Sequence, residues 1–172
     1  FSGFTNVKVN GVNKDFLDYS APYIVDWNND GKKDMLVGDS GGYVNLLVNT
    51  GTDASPVFSA SELLVNGSIY LSVGSRSAPV VFDWDDDGKK DLLVGTASGQ
   101  IWFYTNVGTD SAPVFDGYVN LEVNGAPLDC GANTCFDMCD WTNDGMADLM
   151  VGSENITGSP MGPVFYFRAM FL

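Results

Sequence analysis

The 172-residue chain contains no histidine and only eight lysines and arginines. Without histidine there is no Ser-His-Asp or Cys-His catalytic arrangement, and zinc loses its usual imidazole ligands. The formal charge of -14 excludes a nucleic-acid partner, because a phosphate backbone needs a basic face to displace its counterions. No apolar run approaches the roughly 18 residues of a spanning helix, so no membrane span is expected. Disorder is equally excluded: hydrophobic residues make up 45% and aromatics 13% of the chain, enough to bury a core.

The chain opens at Phe1 with neither an initiator Met nor a basic, apolar leader, the pattern of a secreted product whose targeting peptide has been removed. Two sequons, Asn66-Gly67-Ser68 and Asn155-Ile156-Thr157, make Asn66 and Asn155 candidate glycosylation sites and fit an extracellular or cell-surface destination.

What is abundant is acid, and it recurs with a period. Asp26-Trp27-Asn28-Asn29-Asp30-Gly31 is followed by Asp83-Trp84-Asp85-Asp86-Asp87-Gly88 and Asp140-Trp141-Thr142-Asn143-Asp144-Gly145, each step being 57 residues. Val37-Gly38, Val94-Gly95 and Val151-Gly152 keep the same step, as do Ser20-Ala21-Pro22 and Ser77-Ala78-Pro79, and the Val-Asn-Gly triplets at 9–11, 65–67 and 123–125 follow closely. A fixed period of this length signals a repeat architecture. The chain therefore reads as one repeat domain, 1–172, with units of about 1–57, 58–114 and 115–172.

Gly, Pro, Asn and Asp clusters cut each unit into short β-branched and aromatic runs, without helical periodicity. In the second unit the strands are expected at Pro79 to Trp84, Asp91 to Gly95, Gln100 to Thr105 and about Phe115 to Val123. The fold class is all-β, with three four-stranded antiparallel units.

The acidic loops have the form D-x-[DNT]-x-D-G-x-x-D. Calcium takes six to eight oxygens at about 2.3–2.6 Å, and carboxylates at alternate positions of a tight turn can wrap it. The expected ligands are Asp26, Asn28, Asp30, Lys32 and Asp34 in the first loop and Asp83, Asp85, Asp87, Lys89 and Asp91 in the second, the lysines acting through their carbonyls. In the third they are Asp140, Thr142, Asp144, Met146 and Asp148. Threonine at position three predicts weaker binding there. An EF-hand would need Glu at position twelve, where Val37, Val94 and Val151 stand. Ordinary Asx-turns are the alternative, but ten of the 22 acidic residues fall on ligand positions, and such clusters repel one another without a cation.

The D-x-[DN]-x-D-G-x-x-D-L-L-V-G pattern resembles the FG-GAP or VCBS repeats of integrin α-subunit propellers and related propeller lectins. The resemblance spans essentially the whole chain. It implies β-propeller blades, calcium as cofactor, and a noncatalytic binding or adhesion role toward a glycan or protein ligand. By the repeat alignment the chain begins at a fourth strand and ends at a third. Three blades are too few to close a ring, so the N-terminal strand is expected to complete a neighbour's third blade in a homo-oligomeric ring or a filament. A piece of a larger propeller is the third possibility. A structural filament subunit is thus the alternative function. A carbohydrate-active enzyme is a minor one, resting on Glu62, Glu122 and Glu154.

Cys130 and Cys135 flank a turn and are expected to pair as a disulfide in an oxidising compartment, with Cys139, in the place of Val25 and Phe82, as a buried thiol. Trp27, Trp84 and Trp141 are expected to pack beside the loops, with sugar stacking as the minority reading, and Trp102 and Tyr104 to be core.

Overall fold

The computed structural model describes Gly3, residues 5–154 and the backbone of the strand at 164–167. Phe1, the Asn155 sequon with the insertion around it, and the tail beyond Phe167 lie outside the described residues. The fold is all-β, and among the described residues no helix is long and apolar enough to cross a membrane.

A hairpin of β1 (Lys8–Val9) and β2 (Val12–Asn13) opens the chain. Its turn residues Asn10 and Gly11 take φ of 50° and 78°, the left-handed pair that a two-residue turn needs to match strand twist. The first sheet orders β3 (Ala21–Val25), β4 (Asp34–Gly38), β5 (Val44–Leu47) and β6 (Glu62–Leu63) consecutively and antiparallel. After the hairpin of β7 (Val65–Asn66) and β8 (Ile69–Tyr70), the second sheet repeats the order with β9 (Ala78–Phe82), β10 (Asp91–Gly95), β11 (Ile101–Tyr104) and β12 (Val119–Asn120). A third hairpin, β13 (Glu122–Val123) with β14 (Ala126–Pro127), leads to a sheet of β15 (Ala132–Cys139), β16 (Asp148–Glu154) and β17 (Val164–Phe167).

The register obeys the sequence period. Val25 faces Asp34, Phe82 faces Asp91 and Cys139 faces Asp148 across the first two strands of each sheet. Each four-stranded sheet draws its outer strand from the next sequence unit. That strand is shorter than the run Phe115 to Val123 suggested: Phe115 forms only a bridge to Asn106, Val119–Asn120 alone pairs with β11, and Glu122–Val123 leaves for its own hairpin.

The sheets stack in chain order, the first on the second through β3, β4 and β9, the second on the third through β9, β10 and β15; they close no ring among the described residues. Apolar side chains fill the gaps. Leu36, Val44, Leu64, Leu71, Val81, Leu92 and Tyr104 pack between the first two sheets, and Leu93, Ile101, Phe103, Leu128, Leu149 and Val151 between the second and third. Val7, Val9 and Phe16 cover the outer face of the first sheet over Val37 and Leu47. The middle strands are buried on both faces and so read as continuous apolar runs.

The cysteine expectations are corrected. All three are free thiols, with Cys130 buried and Cys135 and Cys139 exposed. Cys130 sits one period after Val73, a core residue, and packs beside Leu128 and Leu149, out of the disulfide assigned to it. Cys139 does occupy the place of Val25 and Phe82, but no described sheet follows the third to cover it.

Candidate metal centres

Each acidic loop joins the first two strands of a sheet, and each folds on its own side chains. The position-one carboxylate accepts the amides of positions five and six: Asp26 from Asp30 (3.1 Å) and Gly31 (2.9 Å), Asp83 from Asp87 (3.1 Å) and Gly88 (2.9 Å), Asp140 from Asp144 (3.0 Å) and Gly145 (2.9 Å). Position five accepts the amide of position seven, with Asp30, Asp87 and Asp144 taking those of Lys32, Lys89 and Met146 at 2.9–3.0 Å. Gly31, Gly88 and Gly145 take φ of 83–86°, left-handed values that glycine adopts without steric cost.

The position-nine aspartates are fully buried. Asp34 accepts the Trp27 amide at 2.9 Å with one oxygen and the Asn49 amide at 2.7 Å with the other. Asp91 holds Trp84 at 3.0 Å and Asn106 at 2.7 Å in the same way. These two residues tie the loop to the end of the third strand, and each oxygen keeps a lone pair for a cation. Asp148 accepts from Trp141 and Thr142 through one oxygen, and its other oxygen is buried without a partner among the described residues.

The second loop has the strongest donor set. One carboxylate oxygen each from Asp83, Asp85 and Asp91 lie within 4.8 Å of one another, a spacing that one ion with oxygen ligands at about 2.3–2.6 Å can bridge. Burial pushes the Asp91 carboxyl above the usual range, the Asn106 and Trp84 amides oppose that, and the Asp85 and Asp87 charges add to it. A cation would relieve this repulsion. The Lys89 ammonium pairs with Asp87 and, with its own amide, lowers that carboxyl, and Lys32 pairs with Asp30 at 3.3 Å in the first loop. The donors are all hard oxygens, and they fit calcium. In the third loop Met146 supplies no ammonium, and the Thr142 hydroxyl turns 3.4 Å from Asp148, a poorer third ligand than carboxylate.

A basic–acidic clasp escaped the sequence reading. Lys33 reaches Asp53 with amide and ammonium, both at 2.8 Å, and Lys90 reaches Asp110 at 2.7 and 3.0 Å. The Asn29 amide group of the first loop joins the second clasp, donating to Asp110 at 2.6 Å and accepting from Lys90. Its signal was present: both members recur at 57 residues, while Ala147 replaces the lysine in the third unit.

The FG-GAP-like repeat model matches residues 26–94 and again 83–151, and both matches begin on a position-one aspartate. The chain belongs to the FG-GAP-like repeat family. No curated protein and no solved structure matches it. FG-GAP-like repeats are typically noncatalytic and suggest a propeller-like binding module. Glu62, Glu122 and Glu154 are exposed and stand on separate elements.

The loop tryptophans differ. Trp27 is 3% exposed and Trp84 packs in the second core, whereas Trp141 is 66% exposed. Tyr104 is buried, and Trp102 stacks on Tyr118 with ring centres 3.9 Å apart. The Asn66 side chain, on β7, accepts the Gly117 amide at 2.7 Å.

Proposed function

We propose that this FG-GAP-like chain is a secreted, calcium-binding module that engages a glycan or protein ligand without catalysis, its sheets acting as propeller-type blades. The observation that carries the reading is the threefold loop, with one internal hydrogen-bond plan at a 57-residue step and three carboxylates of the second loop converging on one point. Calcium held by Asp83, Asp85, Asp87 and Asp91, by the matching set in the first loop and more weakly by the third would brace each strand connection, since a ligand bound only to the folded state stabilises it. For the ligand, Trp27, Leu46, Glu62, Leu63, Pro113 and Phe115 line a shallow cleft of about 300 Å³ beside the first loop, mixed in polarity as recognition clefts are. Glycosylation at Asn66 and Asn155 belongs to the same extracellular reading. Calorimetric titration with calcium tests the metal, with at least two binding events expected; a glycan array run with calcium present tests the sugar ligand. Absence of binding heat at millimolar calcium would refute the metal reading.

A second reading makes the chain a structural subunit assembled by exchange of its N-terminal strand. It is favoured by one feature: β5 and β11 are capped by β6 and β12, whereas β17 pairs only with β16 among the described residues. Residues 5–6, one period before Glu62–Leu63, form no strand. Mass-resolved chromatography and electron micrographs, with calcium and after chelation, separate ring, filament and monomer.

A further inference from the structure

The two junctions between successive sheets share one main-chain plan, to which the first adds the Ser77 hydroxyl, accepting from the Asp39 amide at 3.0 Å and donating to the Tyr43 carbonyl at 2.5 Å. At the first, the Ser77 amide donates to the Asp39 carbonyl at 3.1 Å; at the second, Thr134 donates to Thr96 at 3.1 Å, one period later. A Cβ on Gly38 would lie 2.0 Å from the Ser77 carbonyl oxygen, and one on Gly95 2.3 Å from that of Thr134, so each glycine exists to let the next sheet touch. The residue before each docking residue is left-handed, Arg76 at φ 47° and Asn133 at 56°. Ser77 and Thr134 are both 2% exposed.

Among the described residues, both halves of this junction occur once more without a matching half against them. At the front of the first sheet, Tyr19 holds φ 58° one period before Arg76, an uncommon conformation for a bulky residue. Ser20, one period before Ser77, is exposed, as is Pro22, whose counterpart Pro79 is buried. Ile24 is 50% exposed where its counterpart Val81 is 6%. At the back of the third sheet, Gly152 stands one period after Gly95, yet among the described residues the nearest atom to its Cβ position is the Cys135 sulfur of its own sheet, at 3.6 Å. Trp141 and Cys139 are exposed there, where Trp27 is buried and Trp84 and Phe82 pack against the following unit.

We propose that a second copy of this chain docks head to tail, its front edge at Tyr19–Ile24 on the third-sheet face around Gly152 and Trp141, so that the contact between molecules repeats the junction within them. The Ser20 amide then donates to the Ser153 carbonyl, the counterpart of Asp39 and Thr96. A second copy is the occupant because one chain carries both complementary surfaces, the left-handed donor edge and the glycine acceptor edge. Such contacts are heterologous and propagate as a ring or a filament. The proposal deepens the assembly reading, and it can fail separately from strand exchange, which uses the edge of β17 and not the face of its sheet.

The test is sedimentation of the full chain over a range of concentrations at about 0.15 M salt, which screens the charge repulsion between copies. Wild type is expected to associate. Gly152→Ala should unfold at the wild-type denaturant midpoint, since no described residue crowds its Cβ, and weaken association about tenfold or more, as a clash of the Gly38 kind would. Ile24→Asp disables the front and Trp141→Asp the back. Each alone should be monomeric, and their equimolar mixture should give dimers and nothing larger, because one intact front meets one intact back. Wild-type association of Gly152→Ala, a mixture that stays monomeric, or a monomeric wild type would each overturn the proposal. Thr5→Pro with Asn6→Pro removes the amide donors of the N-terminal strand. Association that survives these prolines but not Gly152→Ala supports face docking by itself; the reverse overturns it and leaves strand exchange standing.

Discussion

Position nine of each acidic loop should do two jobs that mutation can pull apart. Asp91 is fully buried and accepts two amides, Trp84 at 3.0 Å and Asn106 at 2.7 Å. Asp91→Ala leaves both donors unpaired, at about 1–3 kcal/mol each, so about 2–6 kcal/mol is lost whether or not calcium is present. Asp85 is exposed and accepts only the Asp87 amide at 3.3 Å. In chelator, Asp85→Ala should fall within about 0.5 kcal/mol of wild type, as surface substitutions do. In calcium at about a hundred times its dissociation constant, an intact site adds about 2.7 kcal/mol, and Asp85→Ala should forfeit most of that increment. Urea unfolding of the three proteins, each with calcium and with chelator, gives the six stabilities required. If Asp91→Ala costs no more than Asp85→Ala in chelator, the latch role of position nine is wrong; if Asp85→Ala keeps the full calcium increment, its ligand role is wrong.

Thr142→Asp restores the carboxylate missing from the third loop, and terbium luminescence titration should show that site tightening toward the other two. Cys130 is buried, and burial followed by the neighbouring Asp129 charge pushes its thiol up to about 11; alkylation at pH 8 should modify Cys135 and Cys139 rapidly and Cys130 only on unfolding. The unfolded thiol ionises near pH 8.5, so folding stability should decline as pH rises from there toward 11, and a Cys130→Val variant should lack the part of that decline below about pH 10, where Tyr23 and Tyr104, also raised by burial, do not yet contribute, in a pH series of melting temperatures. Gly38→Ala, which would place a methyl 2.0 Å from a backbone oxygen, should lower the urea midpoint by the equivalent of about 1–3 kcal/mol or more.

The repeat, the second strand of each sheet and the turns of the acidic loops could be read in advance because each is local. Asp34, Asp91 and Asp148 mark the start of a strand by their own spacing, and the Gly after position five announces the bend. What escaped depends on residues far apart. The Lys33–Asp53 clasp spans 20 residues, and the Asp91–Asn106 contact spans 15, so neither shows in a short window even though each recurs with the period. The Cys139 expectation failed for a different reason. Alignment assigned it a core position correctly by analogy, but burial is made by the next sheet, and no described sheet follows the third. Conversely Cys130 carried an alignment signal that the disulfide expectation overrode, since its counterpart one period earlier, Val73, is a core residue.

What the two junctions share is carbonyls, amides and glycine, with the Ser77 hydroxyl added at the first, and this loosens the hold of selection on the other side chains around them. Ser77 is matched by Thr134, and Asp39 by Thr96 and Ser153, with the same main-chain bond kept at 3.1 Å in both junctions. Surface residues along these seams can therefore drift between copies while the pitch of the stack stays constant. A lineage can diversify what such a chain touches, or lengthen it by whole units, without redesigning how one unit seats on the next.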